Sequence, residues 1–402
     1  MKNIFRSRSL VIMLICLLVI SGLIFYGAFH VSGKGAGIKD ISKIAGTEVK
    51  EVIPAGQYKS LYILNGDKGV FLGDRNGQCD DWKLIFDNGT DRKLDYTGAF
   101  QKKNKSVTLM SGEKGYMLIK YNKYPEDINI MKYKYADIDE EGRYYLYLDE
   151  KEKKYFIKDM NGNEVFNIDE EETDGYDSVR FAGREGYIVK EYDDSDYLIN
   201  MKNGRSVFKS HKTDKITGYK AGHWIIRKGE DISEYEVLDR NFKTVDSVAT
   251  ASDLYANEQV IVYQGGASHN HIIGAGGIID DNQYGTDAHI AAEDSIAFLN
   301  GEDLFNYVAI KNNKAESLTE SEYLSPRDFE DGFAPAYQGT EMTIEYGADL
   351  YIDGGEPKWG IVDKDMKPVT KFRFNGISKT ENGYAVVSIG RTMAIIDLKE
   401  VQ

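Results

Sequence analysis

Cysteine is almost absent from the sequence, which contains Cys16 and Cys79 and no other thiol among its 402 residues. Cys16 lies in an apolar run near the N-terminus, so Cys79 is alone in the rest of the chain. An internal disulfide is therefore impossible beyond that run. This excludes the disulfide-rich secreted scaffolds, and the folded part must be stabilised by its hydrophobic core.

Basic charge and proline are also scarce. Fifty Lys and Arg against 65 Asp and Glu give a formal net charge of -15, which argues against binding nucleic acid through a basic surface. With six prolines, 42% hydrophobic and 29% charged residues, the composition excludes collagen and wholesale disorder. The 28 Tyr and 17 Phe favour β structure, and no long helical pattern follows the N-terminus, so we expect an all-β fold.

One long apolar run is present at the N-terminus. Apart from one serine and two glycines, every residue from Leu10 to Phe29 is apolar. A helix of this length spans about 30 Å, the thickness of the hydrocarbon core of a bilayer. We expect an uncleaved transmembrane signal anchor. The alternative is a cleaved signal peptide, but its apolar stretch is usually shorter, and the best cleavage site, Val31-Ser32-Gly33, is poor.

Basic residues ahead of this run predict its orientation. By the positive-inside rule, Lys2, Arg6 and Arg8 stay in the cytoplasm. We therefore expect a single-pass protein of the cell membrane, with the bulk of the chain outside the cytoplasm. The predicted segments are, in chain order, a cytoplasmic tail at 1–9, the transmembrane helix at 10–29, a linker at 30–47 and a β-repeat domain at 48–402.

A short motif recurs along the predicted domain. Tyr155–Gly162 reads YFIKDMNG, Tyr197–Gly204 reads YLINMKNG, and a related segment begins at Tyr235, so the copies start 42 and 38 residues apart. Each unit predicts a strand, a tight turn and a second strand, because Asp, Asn and Gly favour the required turn. Phe242, in the copy that begins at Tyr235, and Met366, in a further copy, occupy the glycine position, and we expect those two turns to differ.

The C-terminal part of the chain resembles a known family. Trp359–Asp363 reads WGIVD, and Gly383 opens a further strand pattern. This succession is similar to the WG-repeat family of bacterial, often exported proteins. The resemblance implies that Trp359, Gly360, Asp363 and Gly383 are structural residues of a β-repeat. We expect the Trp359 indole to be buried and Gly360 to leave room beside it, because glycine has no Cβ.

Repeats of about 40 residues with three or four short strands suit a β-propeller, here of seven or eight blades, and a β-solenoid is the alternative. We place insertions in loops at 264–289 and 338–357. The last repeat lacks its final strand, and the domain opens with such a strand. We therefore predict that a strand within Lys50–Ile63 and a strand within Arg391–Leu398 lie in one sheet, which closes the array into a ring.

Histidines cluster in one region of the predicted domain. On a strand, His269 and His271 would project from the same face, and Asp287 and His289 could complete a zinc site. No spacing here matches an established zinc motif, and the surrounding segment is rich in glycine. We favour a polar loop, and we expect neither a stoichiometric metal nor a cofactor.

Established catalytic motifs are missing from the sequence. It contains no Gly-x-Ser-x-Gly elbow, P-loop, His-Glu-x-x-His helix or dinucleotide fingerprint, so we assign no catalytic residue. Asp137–Gly142 resembles the start of a calcium loop, but Leu148 replaces the bidentate glutamate, so we predict a hairpin turn. Trp82 and Trp224 could bind a ligand on an exposed face, although aromatic residues on strands are more often core.

These features favour a binding or scaffolding module that is anchored in the membrane and faces the exterior. Its partner would be another protein or a cell-envelope polymer, and not nucleic acid. The alternative is an exported hydrolase acting on envelope glycans or peptides, because propellers host enzymes as well as binders. Convergent acids or histidines with perturbed pKa values in one pocket would favour the hydrolase, and a broad apolar patch would favour the binder.

Overall fold

The computed structural model describes residues 49–399 with the exception of 122–127, 171–177, 193, 230–233, 249–253, 257–258, 266–268, 280–287, 291–295, 301–304, 312–313, 321–322, 324–328, 340–351, 354–356, 379 and 391. The described residues form antiparallel β-sheets, as the composition predicts, and they include no helix. Within these ranges, no helix is therefore long and apolar enough to cross a membrane. The predicted tail, anchor and linker at 1–47 lie outside the described residues.

The described strands form nine sheets, which we number in chain order. The first strand, β1 (Lys50–Ile53), belongs to the last sheet. Sheet 1 contains β2 (Ser60–Asn65), β3 (Val70–Asp74), β4 (Trp82–Phe86) and β5 (Asp91–Lys93). Sheet 2 contains β6 (Ala99–Lys103), β7 (Val107–Gly112), β8 (Gly115–Tyr121) and β9 (Ile128–Tyr133). Sheet 3 contains β10 (Ala136–Ile138), β11 (Tyr144–Asp149), β12 (Lys154–Asp159) and β13 (Glu164–Asp169).

The next three sheets have the same order of four consecutive strands. Sheet 4 contains β14 (Ser178–Phe181), β15 (Tyr187–Glu191), β16 (Asp196–Asn200) and β17 (Arg205–Lys209). Sheet 5 contains β18 (Lys215–Lys220), β19 (His223–Arg227), β20 (Tyr235–Leu238) and β21 (Thr244–Val248). Sheet 6 contains β22 (Leu254–Ala256), β23 (Val260–Gly265), β24 (His269–Gly274) and β25 (Gly277–Ile279).

The last three sheets include the only departures from this order among the described strands. Sheet 7 contains β26 (Ala288–Ile290), β27 (Ile296–Asn300), β28 (Phe305–Lys311) and β29 (Lys314–Glu320). Sheet 8 pairs β30 (Phe333–Tyr337) with β32 (Trp359–Asp363). Sheet 9 has the order β1, β35 (Thr392–Asp397), β34 (Tyr384–Ile389), β33 (Gly376–Ile377) and β31 (Ile352–Asp353).

The number of sheets exceeds the seven or eight predicted blades. The first strands of sheets 1 to 6 begin at residues 60, 99, 136, 178, 215 and 254, so successive spacings are 39, 37, 42, 37 and 39 residues. The sequence motif identified the repeat length, but sheets 2, 6 and 7 contain none of its copies and were not recognised as units. The sheets are nevertheless small, antiparallel and repeated in chain order, as in a propeller-like fold.

The two ends of the domain meet in sheet 9, as the sequence predicts. Lys50 pairs with Asp397, Glu51 with Ile396 and Ile53 with Ile395, in antiparallel register. β1 thus supplies the outer strand that the last repeat lacks. The predicted segment to Ile63 divides in two, because the chain turns after Ile53 and then begins sheet 1.

The core continues across this junction. Tyr384, Val386 and Ile395 of sheet 9 share one buried cluster with Leu61 and Phe71 of sheet 1. Another buried cluster joins sheets 1 and 2. Apolar packing therefore links the last sheet to the first sheet as well as the first to the second.

Hydrogen bonds also join the first hairpin turn of one sheet to that of the next. The pairs, in chain order, are Asn65 Nδ2 to Lys105 O at 2.8 Å, Asn104 Nδ2 to Asp139 O, Arg143 Nη1 to Glu185 Oε2 at 3.2 Å, Gly383 N to Asp331 Oδ2 at 3.3 Å and Gly66 N to Glu381 Oε1 at 3.3 Å. The last of these pairs crosses the closure, so the turns on either side of it are connected like the others.

The repeated turn is held by its aspartate. The Asp159 carboxylate accepts hydrogen bonds from the amides of Asn161 and Asn163, each at 2.8 Å, and Gly162 has φ +90°. The Asn163 side chain, at 2.8 Å, is the main cause of a pKa for Asp159 below its ordinary value. A charged acceptor is therefore the favoured form, which explains the preference for aspartate at this position.

Our prediction that the turns with Phe242 and Met366 differ was wrong. Both residues adopt the left-handed region, with φ +61° and +62°, and the hydrogen bonds around Asp239 and Asp363 repeat those around Asp159. Such a backbone costs a non-glycine residue about 1–2 kcal/mol. Phe242 offsets this cost through stacking, because its ring lies 4.9 Å from that of Phe208.

The two predicted insertions have different outcomes. Our prediction that 264–289 interrupts the repeat was wrong, because β24 and β25 are regular strands of sheet 6 within that range. The segment 338–357 does depart from the four-strand pattern. It contributes β31, which pairs with β33 of sheet 9 through Ile352 with Ile377 and Asp353 with Gly376.

Candidate functional site

Trp359 is fully buried and packs against Tyr337, with 5.1 Å between ring centroids. A Cβ built on Gly360 would lie 2.9 Å from the Phe372 ring, so glycine at this position makes room for that ring. Both residues are structural in this arrangement.

Asp363 and Gly383 also lie in turns. Asp363 accepts hydrogen bonds from the amides of Asp365 and Lys367, each at 2.9 Å. Gly383 has φ +76°, and a Cβ there would lie 2.6 Å from Lys399 Cγ. Asp363 therefore holds its turn through two backbone amides, and the backbone at position 383 favours glycine.

The structure describes three of the four residues in the predicted histidine cluster. His269 and His271 lie on β24, opposite Gly265 and Tyr263, whereas His289 lies on β26 of the next sheet, opposite Phe298. Asp287 lies outside the described residues. Among the side chains that the structure does describe, no group of three or more potential ligands is close enough to hold a metal ion.

Trp82 and Trp224 do not form a binding surface. Both are buried to within 1% of full burial, and the Trp82 indole donates a hydrogen bond to Gly98 O at 2.7 Å. Exposed large hydrophobic residues lie on the last strands of three different sheets. They are Val165 on β13, Val207 on β17 and Ile278 on β25. Among the described residues, these do not form a broad apolar patch.

A cavity of about 420 Å³ lies against the first strands of four consecutive sheets, β10, β14, β18 and β22. Its polar lining includes Asp137, Glu140, Arg180, Thr217 and Lys220. This volume lies within the range of about 300–1,000 Å³ that is typical of ligand pockets. We call it the inner cavity, because in a propeller the first strand of each blade is the innermost one.

An ionic network supports the wall of the inner cavity. Arg180 pairs with Glu191 at 2.5 Å and lies 4.0 Å from Asp196, which also pairs with Lys215 at 3.0 Å. Burial raises the pKa of Asp196 above its ordinary value, although Lys215 opposes the change. Burial acts on Glu191 too, but the Arg180 guanidinium and the Ser178 hydroxyl outweigh it and bring its pKa below the ordinary value.

Two carboxyl groups with pKa values displaced in opposite directions resemble an acid–base pair. Here the geometry contradicts that role. Asp196 is completely buried, and its two oxygens accept hydrogen bonds from Lys215 Nζ and from the Ile216 amide, at 3.0 and 2.8 Å. The network therefore stabilises the junction of sheets 4 and 5.

Charged side chains also form hydrogen bonds with backbone groups along the edges of β14 and β18. Asp137 Oδ2 accepts a hydrogen bond from the Phe181 amide at 2.9 Å, and Asp196 does the same for Ile216. The Arg180 guanidinium donates to the carbonyl oxygens of Ile216 and Thr217. Edge groups that are satisfied in this way are no longer free to pair with an added strand.

An ion pair bridges the inner cavity at the first hairpin turns. Lys220, at the end of β18 in sheet 5, pairs with Glu140 in the turn after β10 of sheet 3. The pair therefore joins two sheets that are not consecutive. The sheet between them is sheet 4, and Gly183 lies in its corresponding turn. A Cβ on Gly183 would lie 3.1 Å from Tyr219 O, and its φ is +76°, so glycine is required for the close approach of sheets 4 and 5.

Tyr135 lines the inner cavity and carries a hydroxyl group. Burial, with Asp137 as the next cause, raises the pKa of Tyr135 well above its ordinary value, so the group remains an O–H donor. Among the described residues, this hydroxyl has no hydrogen-bond partner, whereas the ring packs edge-on against Tyr116 and Tyr155. Sequence reasoning missed this site, because its residues come from separate repeats and carry no local motif.

The comparison with protein families identifies one repeat directly. Residues 359–391 match the family described as WG containing repeat. The chain contains a WG repeat. This confirms the resemblance of this segment to a WG repeat, and sheets 8 and 9 are the part of the fold in which that repeat lies.

The solved structures that match this chain have low sequence identity to it. Hsv2 of Kluyveromyces lactis is 9% identical, with 62% of this chain and 89% of that chain covered and a TM-score of 0.34. Dihydro-heme d1 dehydrogenase NirN, solved in complex with DHE, is 10% identical, with 78% and 75% covered and a TM-score of 0.41. Among curated proteins, no sequence matches this chain. At these scores, the similarities carry no information about a ligand.

Proposed function

We propose that the chain is a membrane-anchored, extracytoplasmic binding module that holds its ligand in the inner cavity. The observation that carries this proposal is one cavity of about 420 Å³ shared by the first strands of sheets 3 to 6. A pocket at the convergence of several repeats is the usual place for a ligand in a repeat fold. The ligand is another protein or a cell-envelope polymer, and the acidic net charge of -15 disfavours nucleic acid.

Filling the inner cavity should abolish binding. Gly218 lies on β18, and a Cβ there would meet only Ala182 O, at 3.9 Å, so Gly218→Phe adds a large side chain to the cavity lining without a backbone clash. We expect this variant to lose at least about tenfold in affinity for purified bacterial cell-wall polymer in a co-sedimentation assay with the full chain.

Val165→Phe is the matched control, because Val165 is 45% exposed on the last strand of sheet 3. It adds an aromatic ring away from the inner cavity and should sediment with the polymer like the parent chain. Equal binding by Gly218→Phe and the parent, with both variants folded, would contradict the proposed role of the cavity.

The N-terminal run should remain in the mature protein. Its 20-residue length and the poor cleavage site predict that detergent is needed to extract the chain from membranes. N-terminal sequencing of the extracted protein should read from Met1. A mature protein that begins near Lys34 would show that the run is a cleaved signal peptide, and the membrane-anchored part of the proposal would fail.

A further inference from the structure

We infer that the ligand of the inner cavity is an uncharged oligosaccharide, an inference that rests on the proposed binding function. It depends on three properties of the cavity: its cations are already paired, its lining combines hydroxyl groups with apolar side chains, and its strand edges are closed to an added peptide strand. Together these properties select for a ligand with many hydroxyl groups, apolar C–H faces and no formal charge.

The cations of the cavity are engaged by carboxylates of the protein. Arg180 pairs with Glu191 at 2.5 Å and also donates to two backbone carbonyls, and Lys220 pairs with Glu140. A phosphate or carboxylate ligand would have to displace one of these carboxylates and would meet the repulsion of an acidic protein. Phosphorylated and uronic-acid polymers are therefore poor ligands for this cavity.

The remaining lining matches the surface of a sugar. Tyr135 and Thr217 provide hydroxyl groups, and Phe181, Ile225 and Leu254 provide apolar surface. The Tyr135 hydroxyl is a donor without a partner among the described residues, so an acceptor on the ligand would satisfy it. A pyranose ring presents hydroxyl groups at its rim and C–H groups on its faces, which suits this combination.

An extended peptide is disfavoured by the edges of the same strands. Peptides that add to a sheet need free amide and carbonyl groups along one edge. On β14 and β18, the Phe181 and Ile216 amides and the Ile216 and Thr217 carbonyls already bond to Asp137, Asp196 and Arg180. Strand addition would break these charge-assisted bonds, which are stronger than ordinary backbone bonds.

The inference can be tested by calorimetric titration of the full chain in a detergent without a sugar headgroup. The probes are a neutral tetrasaccharide of N-acetylglucosamine, an acidic tetrasaccharide of galacturonate and an unrelated eight-residue peptide. We expect the parent chain to bind the neutral tetrasaccharide and to bind the other two at least about tenfold more weakly. Tyr135→Phe removes the hydroxyl group and keeps the ring, so it should lower the affinity for the neutral tetrasaccharide by about tenfold.

Tyr133→Phe is the matched control for this change. Its hydroxyl contacts Met131 Sδ at 3.4 Å, and Tyr133 is not part of the cavity lining, so affinity should stay at the parent value. Glu140→Gln provides a second test, because it removes the carboxylate that pairs with Lys220 across the cavity. We expect this variant to gain affinity for the acidic tetrasaccharide by about tenfold.

Three outcomes would overturn the inference: preference for the peptide, equal affinity for the acidic and neutral probes, or no binding of any probe. The Gly218→Phe sedimentation assay distinguishes these failures from a failure of the proposed function. If Gly218→Phe still abolishes binding to cell-wall polymer, the cavity remains the binding site for a different ligand. If it does not, the cavity is not the site.

Discussion

A chain that ends at Gly390 should lose the cooperative unfolding of the whole domain, and not merely one repeat. The truncation removes β35, which pairs with β34 on one side and with β1 on the other. It also removes Met393, Ala394, Ile395 and Ile396, all within 5% of full burial, from two core clusters. Because sheet 9 packs against sheet 1, its loss exposes the core at the closure, and calorimetry should show no sharp transition.

A chain that ends at Lys399 is the control for this truncation. It keeps β35 and Leu398, whose amide donates to Gly383 O at 2.7 Å, and it should melt like the full chain. A chain ending at Gly390 that retains a sharp transition, with an enthalpy reduced only in proportion to its length, would show that the repeats unfold independently.

Replacement of Trp359 by alanine should destabilise the domain by about 3–5 kcal/mol, which is typical of deleting a buried aromatic side chain. Trp359 is fully buried and belongs to the same core cluster as Tyr337, Phe374 and Ile396, which come from sheets 8 and 9 and the segment between them. The cavity left by the indole therefore lies where the WG repeat meets the closing sheet. Denaturant unfolding of the full chain in detergent measures the change in free energy.

Phenylalanine variants separate packing from hydrogen bonding at this position. Trp359 Nε1 has no hydrogen-bond partner within the described residues, whereas Trp82 Nε1 donates to Gly98 O at 2.7 Å. Trp359→Phe should therefore cost about 1 kcal/mol less than Trp82→Phe, which breaks a bond. A Trp359→Ala variant that melted like the parent would refute the structural role of Trp359.

The sequence predicted those features that depend on local chemistry. Asp159 and Gly162 predicted the repeated turn, because carboxylate acceptors and a positive φ are properties of single residues. The closure was also predictable, because the domain begins with a strand of the phase that follows β35 in a repeat. The register of Glu51 with Ile396 bears this out.

Features that depend on contacts between distant repeats could not be predicted from the sequence. Asp137, Arg180 and Lys220 meet at one cavity although 43 and 40 residues separate them along the chain, and nothing in their local sequences marks them. The turn at Phe242 was predicted wrongly for the same reason. Its strained backbone is offset by stacking on Phe208, which belongs to the preceding sheet.

An engineered disulfide across β1 and β35 tests the closed array most directly. Lys50 and Asp397 are paired residues of antiparallel strands, so their Cα atoms are about 4.5–5.5 Å apart, within the range for a disulfide. In a chain with Cys16→Ser and Cys79→Ser, the pair Lys50→Cys and Asp397→Cys should form an intramolecular disulfide under mild oxidation. The control pair, Lys50→Cys and Thr392→Cys, lies about 16 Å out of register and should stay reduced. A Lys50–Asp397 pair that stays reduced, or that oxidises no faster than the control, would contradict a ring closed by the first strand.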